Sequence, residues 1–288
     1  MLRNVRQVFH PTTIEEAVTM AQTNPHACYL GGGAWVVAQG DPQLEAVVDL
    51  QGLDLGKIES DIEGVRIGAL VTLQQLIDDS LGSNPAAGAL AGGLLATAAA
   101  YTQSRTLREQ GTVGGTLIVA GSADPLTTAL LVLDADVRYA DPILHTAPFT
   151  SFVAYRDRLI RTRVLLTELL VKRPPTRSAA AFEGVGRSPK DKPIVCVAAY
   201  VAVDEGLPVE VRIAVGGADA HPMRLLKTEH LLKGQLLTAS RIESALAPVL
   251  AELHPVADFL ATAKYRLEMT QVLTRRAVLS AWERARRA

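Results

Sequence analysis

From about Pro255 to the end of the chain, Phe259, Ala263, Leu267, Thr270, Leu273, Ala277 and Ala281 recur at intervals of three and four residues. That spacing predicts one face of a long amphipathic helix. Its last turns hold Arg284, Arg286 and Arg287, which suit the negative end of a helix dipole; contact with RNA is the other use of such a tail. Capping boxes, a hydroxyl followed three residues later by Glu or Gln, open three more helices. They are read at Thr12–Glu15, opening a helix to about Gln22, at Thr72–Gln75 and at Ser240–Glu243. Short apolar runs bounded by turn residues predict strands at Cys28–Leu30, Ala46–Leu50, Gly64–Ile67, Val137–Tyr139 and Val164–Val171. Val195–Val203 and the alternating Val209-Glu210-Val211-Arg212-Ile213 predict two antiparallel strands joined through Asp204-Glu205-Gly206. Lys172-Arg173-Pro174-Pro175-Thr176-Arg177 reads as a linker, since paired prolines flanked by cations continue neither a strand nor a helix interior. The chain is thus a mixture of α and β elements with one clear break.

At 288 residues the chain has room for two domains. A formal charge of −1, from 29 Lys and Arg against 30 Asp and Glu, argues against a partner held mainly by charge, such as duplex nucleic acid or an anionic membrane. The composition, 48% hydrophobic and 20% charged, is that of a globular protein with real cores. The longest apolar run, Ala86–Ala100, is shorter than the roughly 20 residues of a membrane span and is broken by Gly88, Gly92 and Gly93. Met1–Arg6 opens no signal-peptide core, so a soluble cytoplasmic chain is expected.

Only two cysteines, Cys28 and Cys196, are present, so no disulfide framework is implied. A cysteine-ligated iron–sulfur cluster needs about four thiolates, more than this chain supplies. His26 and Cys28 form a lone pair of metal donors with no others nearby, and the six histidines show no helical ligand spacing. Redox or metal chemistry therefore has to come from an organic cofactor or from another subunit.

Two glycine turns carry the candidate chemistry: Tyr29-Leu30-Gly31-Gly32-Gly33-Ala34-Trp35 and Gln110-Gly111-Thr112-Val113-Gly114-Gly115-Thr116-Leu117. Paired glycines let the backbone turn with positive φ, expose successive N–H groups and admit a phosphate closely. Two such turns facing each other would grip a dinucleotide pyrophosphate without a lysine. Gly31 and Gly33 lack the third glycine of the dinucleotide fingerprint, and no Gly-Lys-Ser/Thr loop is present.

The segment Arg108-x-x-Gly111-Thr112-Val113-Gly114-Gly115-Thr116-Leu117, with Leu126–Leu133 and Ala135-Asp136-Val137 after it, resembles the FAD-binding subunits of molybdenum hydroxylases. These include the xanthine dehydrogenase flavin domain and the flavin-carrying medium subunit of carbon monoxide dehydrogenase. Ile67-Gly68-Ala69-Leu70-Val71-Thr72, Val215-Gly216-Gly217-Ala218 with Pro222-Met223-Arg224, and Ala263–Arg266 with Arg275-Arg276-Ala277 extend the resemblance over essentially the whole chain.

The resemblance implies an α+β fold. Residues 1–173 would be a two-lobed FAD-binding domain of the molybdopterin dehydrogenase type, with lobes of about 1–57 and 64–173 split near Lys57–Glu63. Residues 176–288 would be a C-terminal domain of small antiparallel sheet and helices. It places FAD against Gly31, Gly32, Gly33 and Ala34 and against Thr112, Val113, Gly114, Gly115 and Thr116. It also implies an electron-transfer role: electrons arrive from an iron–sulfur small subunit, a molybdopterin-binding large subunit oxidises the substrate, and this chain needs no catalytic side chain of its own.

Several positions depart from the family pattern. Ala34 and Trp35 stand where small polar residues are usual, and Trp35 is read as a core anchor. Thr116 and Val119 replace polar positions, and the acidic residue expected after the second turn falls on Pro125, with Asp124 one place earlier. In Arg187–Val195, Asp191 is kept and Lys192 replaces an aromatic near the flavin ring; lysine pairs with a phosphate or an anionic reduced flavin but does not stack. These departures leave open an alternative, a structural subunit of the same complex whose FAD binding is weak or lost. A free-standing dinucleotide-binding module is a third reading.

Overall fold

Three sheets organise the chain. The computed structural model describes residues 2–81, 90–101, 104–188 and 191–288. The first part of the Ala86–Ala100 run, Gly88 included, and Pro189-Lys190 of the Arg187–Val195 motif lie outside the described residues.

The first lobe runs β1 (Gln7–Phe9), α1 (Ile14–Thr23), β2 (Ala27–Leu30), α2 (Ala34–Gln39) and β3 (Ala46–Asp49), its strands parallel in the order β1-β3-β2. The second lobe follows with β4 (Ile58–Ser60), β5 (Gly64–Gly68), α3 (Leu73–Leu81), α4 (Leu90–Ala100), α5 (Arg105–Gln110), α6 (Val113–Ile118) and α7 (Pro125–Val132). It ends with β6 (Asp136–Ala140), β7 (Leu144–Pro148), α8 (Phe149–Arg161) and β8 (Leu165–Lys172), and its sheet is antiparallel in the order β4-β5-β8-β6-β7. Residues Lys57–Glu63, expected as a break between lobes, hold β4 and the turn into β5, so they already belong to the second sheet.

Past Lys172 come β9 (Ser178–Val185), β10 (Val195–Asp204), β11 (Leu207–Gly216), β12 (Met223–Arg224), α9 (Leu226–Leu232), α10 (Ala239–Leu250) and α11 (Ala263–Arg287). The third sheet is antiparallel in the order β12-β11-β10-β9. Along β10, Cys196, Ala198, Tyr200 and Ala202 pack into the core of the second lobe, while Val195, Val197, Ala199, Val201 and Val203 join the core beneath α10 and α11. A strand covered on both faces needs no polar alternation, which is why Val195–Val203 reads as one apolar run.

Caps place the helices, with corrections to the predicted starts. Thr72 behaves as predicted: its Oγ1 accepts the Gln75 N–H at 3.1 Å and its own N–H reaches Gln75 Oε1 at 2.7 Å. At α1 the box slips by one residue, with Thr13 Oγ1 accepting the Glu16 N–H and the Glu16 carboxylate accepting the Thr12 N–H and hydroxyl. The cap of α10 is Thr238, not Ser240, and α11 starts after Thr262, leaving Phe259 89% exposed ahead of it. Where hydroxyls cluster, the cap is whichever one stays extended with its oxygen beside the third amide, a matter of backbone path that spacing alone does not reveal.

Glu205 and Gly206, both at positive φ, make the tight β10–β11 turn. At the other end of β11, Gly217 has φ +83 and donates its N–H to Ser122 O at 2.7 Å, docking the third sheet onto the loop after α6. A Cβ at Gly217 would lie 2.1 Å from Ile194 O, whereas one at Gly206 meets nothing within 4 Å. Both substitutions carry the left-handed strain of about 1–2 kcal/mol. Gly206→Ala is therefore expected to lose about that much in urea unfolding, and Gly217→Ala more than about 3 kcal/mol because backbone also has to move.

Candidate functional site

Strand β2 runs straight into Gly31-Gly32-Gly33, and helix α5 ends at the second turn, so the two turns meet at the seam between the lobes. A Cβ at Gly32 would sit 1.5 Å from the Gln110 carbonyl oxygen, and one at Gly31 would sit 3.2 Å from Thr112 Oγ1. The turns are in direct backbone contact, and only glycine permits it.

Their amides are not equivalent, which corrects the picture of two matching donor sets. In the second turn the Val113 N–H donates to Val71 O and the Gly114 N–H to Ala69 O, both at 2.8 Å. The Gly115 N–H donates to Thr112 Oγ1 at 3.1 Å and the Thr116 N–H to Thr112 O at 2.9 Å. Val113 is fully buried, and Gly114 is glycine because a Cβ would press to 2.8 Å from Ala69 Cβ. These bonds seat the start of α6 on the chain before α3 and make the second turn a brace. In the first turn Gly33 sits at φ +77 and α2 has no side-chain cap. Among the described residues, the N–H groups of Gly32, Gly33, Ala34 and Trp35 meet no protein acceptor. The donors open to a phosphate are those of the first turn.

A cleft of about 940 Å³ runs past both turns. That volume lies in the range of cofactor pockets. At one end it is walled by Cys28, Tyr29, Ile160, Val164, Leu165 and Leu166, with Arg163 the charged residue among them. Arg163 itself adopts φ +57 and fans its guanidinium over the carbonyls of Ala21, Asn24, Pro25 and Ala27, while its own carbonyl accepts the Tyr29 hydroxyl at 2.9 Å. One side chain thus ties the α1–β2 loop of the first lobe to the α8–β8 corner of the second. Burial pushes the Cys28 thiol up to about 11, the Arg163 charge opposing. Among the described residues no group of three His, Cys, Asp or Glu side chains is placed to hold a metal ion.

The other end is charged. Ser122, Ala123, Asp124, Lys192, Pro193, Asp258, Leu260 and Arg266 line it. Asp124 caps α7, accepting the Thr127 N–H at 2.8 Å and its hydroxyl at 2.7 Å, and Pro125 fills the first helical position, where its missing N–H costs nothing. Burial pushes the Asp124 carboxyl up against the lowering effect of those bonds and of the Lys192 and Arg156 charges. Arg266 is buried; it donates to Ile194 O at 2.6 Å, to Gly217 O at 3.3 Å and to Asp258 at 2.8 Å, and this last bond holds the Asp258 carboxyl below its usual range.

Of the residues expected at the site, Gly31, Gly32, Gly33, Ala34, Thr112, Gly114, Gly115, Thr116, Asp124 and Lys192 line the cleft, whereas Val113 and Asp191 do not. Trp35 is not a core anchor: it is 51% exposed and lines the cleft, because α2 lies at the lip and buries none of its residues. Arg163 gives no sequence signal, since a left-handed arginine has no motif, and Arg266 is visible only as part of the Ala263–Arg266 pattern.

Residues 3–171 match the family described as the FAD binding domain in molybdopterin dehydrogenase, and residues 180–281 match the CO dehydrogenase flavoprotein C-terminal domain. This chain belongs to that family. The xanthine dehydrogenase FAD-binding subunit of Escherichia coli O157:H7 is 25% identical over 280 residues, 93% of each chain. The nicotine 6-hydroxylase medium subunit of Paenarthrobacter nicotinovorans is 26% identical over 288 residues, 95% of this chain and 96% of that one. A chain of carbon monoxide dehydrogenase from Hydrogenophaga pseudoflava shares the fold with a TM-score of 0.89 over 99% of both chains at 22% identity. The chain is therefore a medium, FAD-binding type of subunit in an oxidoreductase family, with the mixed helix and sheet fold expected. Among the described residues no helix is long and apolar enough to cross a membrane.

The turn contact gives a direct test. Gly32→Ala has to push the two turns apart and is expected to abolish FAD retention, whereas Gly121→Ala, whose Cβ meets nothing within 4 Å in the same cleft, leaves it unchanged. Flavin absorbance per mole of purified variant reads both.

Proposed function

We propose that this chain is the FAD-binding electron-transfer subunit of a molybdenum hydroxylase complex in the cytoplasm, passing electrons from iron–sulfur clusters to an external acceptor. The observation that carries the reading is the row of amides at Gly32–Trp35, unpartnered among the described residues, beside a cleft of about 940 Å³. A diphosphate fits that row: it is anionic and rich in acceptors, and the successive N–H groups of the turn offer it donors. Thr112, Val113, Gly114, Gly115 and Thr116 act mainly by holding Gly31, Gly32, Gly33 and Ala34 in register. The two lobes of residues 1–173 form the cleft, and residues 176–288 close its charged end.

Bound there, the flavin ring supplies the electron acceptance and release, singly or in pairs, that no side chain of this chain provides. Lys192, at the charged end, would offer its ammonium to a phosphate or to an anionic reduced flavin. Asp124 fixes the loop before α7, and Asp191, the residue before Lys192, lies outside the cleft lining. Substrate oxidation falls to a molybdopterin-binding large subunit, and a small iron–sulfur subunit supplies the electrons; in support, two similar chains are named as a medium subunit of nicotine 6-hydroxylase and a subunit alpha of a 6-hydroxypseudooxynicotine dehydrogenase complex.

The departures at Ala34, Trp35 and Lys192 favour one second reading, a structural subunit with weak FAD binding. If three or four hydrogen bonds to FAD are missing at about 0.5–1.5 kcal/mol each, affinity falls by roughly one to four decades. The complex purified under native conditions separates the two. The flavoprotein reading predicts a yellow preparation that releases close to one FAD per chain on heating; a colourless preparation that ignores added FAD assigns the scaffold role.

A further inference from the structure

Helix α2 reads Ala34-Trp35-Val36-Val37-Ala38-Gln39, apolar except for its last residue, yet none of its residues is buried. A helix of this composition ordinarily faces a core. Here Ala34, Trp35, Val36 and Ala38 face the cleft, and the indole of Trp35 is 51% exposed. The chain's other tryptophan behaves conventionally: Trp282 is 3% exposed, with the Arg286 guanidinium 5.5 Å from its ring. Leaving an indole and the neighbouring valines in water forgoes roughly 25 cal/mol for each Å² of apolar surface, so the arrangement favours a ligand that covers them.

That ligand has to be flat and apolar on its faces, because Trp35 offers a planar surface and the cleft it lines also carries aliphatic groups, Leu70, Leu73 and Leu107 among them. It also has to be continuous with whatever the glycine turns hold, since Trp35 follows them by two residues.

We propose that Trp35 is a stacking wall of the cleft, against which one planar ring of the bound dinucleotide lies. The proposal rests on the FAD reading and deepens it: the side chain beside the phosphate turn contributes ring affinity through its π face and apolar area, in addition to the backbone donors. Offset stacking of this kind gains from both dispersion and burial and does not depend on which heterocycle is present.

The test uses the full-length chain, freed of flavin and titrated with FAD by flavin fluorescence. Trp35→Ala is expected to raise the dissociation constant about three- to tenfold and Trp35→Phe to leave it within about twofold, with melting temperatures unchanged because the side chain supports no core. Competition by AMP and by FMN then names the ring: Trp35→Ala weakens one of the two and spares the other. Equal FAD affinity in wild type and Trp35→Ala overturns the stacking wall while leaving the FAD reading intact, and an accompanying loss of complex assembly would give the indole to a partner subunit instead. Equal weakening of AMP and FMN, or a loss that Trp35→Phe does not restore, overturns it as well. A wild-type chain that takes up no FAD overturns both readings together.

Discussion

The backbone of Gly32 lies against the carbonyl of Gln110, too close for any side chain to stand between them, and the site is arranged around that contact. It joins the end of β2 in the first lobe to the end of α5 in the second, so the two lobes are fixed at the point where a phosphate would enter. The contact also sorts the amides. On the Gln110 side they are bonded to Val71, Ala69 and Thr112, which braces the turn; on the Gly32 side they meet no protein acceptor among the described residues. Rigid support beneath unpartnered donors is a preorganised anion site: the amides need not leave other partners before a ligand arrives.

Two further ties keep the cleft open on either side of this waist. Arg163 does so at the apolar end, gathering four carbonyls of the α1–β2 region onto a corner of the second lobe. At the charged end the third sheet is pressed in by Gly217, whose N–H reaches Ser122 O, and pinned by Arg266, which spans Ile194, Gly217 and Asp258. The Gly216-Gly217 pair and the Arg266 of the family pattern thus have a mechanical duty. They carry the C-terminal domain up to the loop at Ser122–Asp124, and Lys192 comes with it.

Much of this was legible in the residues, for reasons that differ by element. The β10–β11 hairpin was plain because Glu205-Gly206 suits a tight turn and β10 is apolar throughout. The glycine turns were visible as turns, but glycine does not say why it is there: Gly32 makes room for Gln110, Gly114 for Ala69, and neither is bare for a ligand's sake. The assignment of donors therefore came out only from the hydrogen bonds. Strand β9 is not legible because Ala179-Ala180-Ala181 carries no strand preference; its place is set by pairing with β10 and by cover from both cores. Trp35 misled, since a large apolar side chain suggests a core, and only the position of α2 at the lip shows otherwise.

Amide hydrogen exchange, residue by residue with and without FAD, tests the division of labour between the turns most directly. The account predicts new protection at Gly32, Gly33, Ala34 and Trp35 when FAD is added, and slow exchange at Val113 and Gly114 that FAD leaves unchanged. Protection that instead appears at Val113–Thr116, with Gly32–Trp35 unaffected, would contradict it.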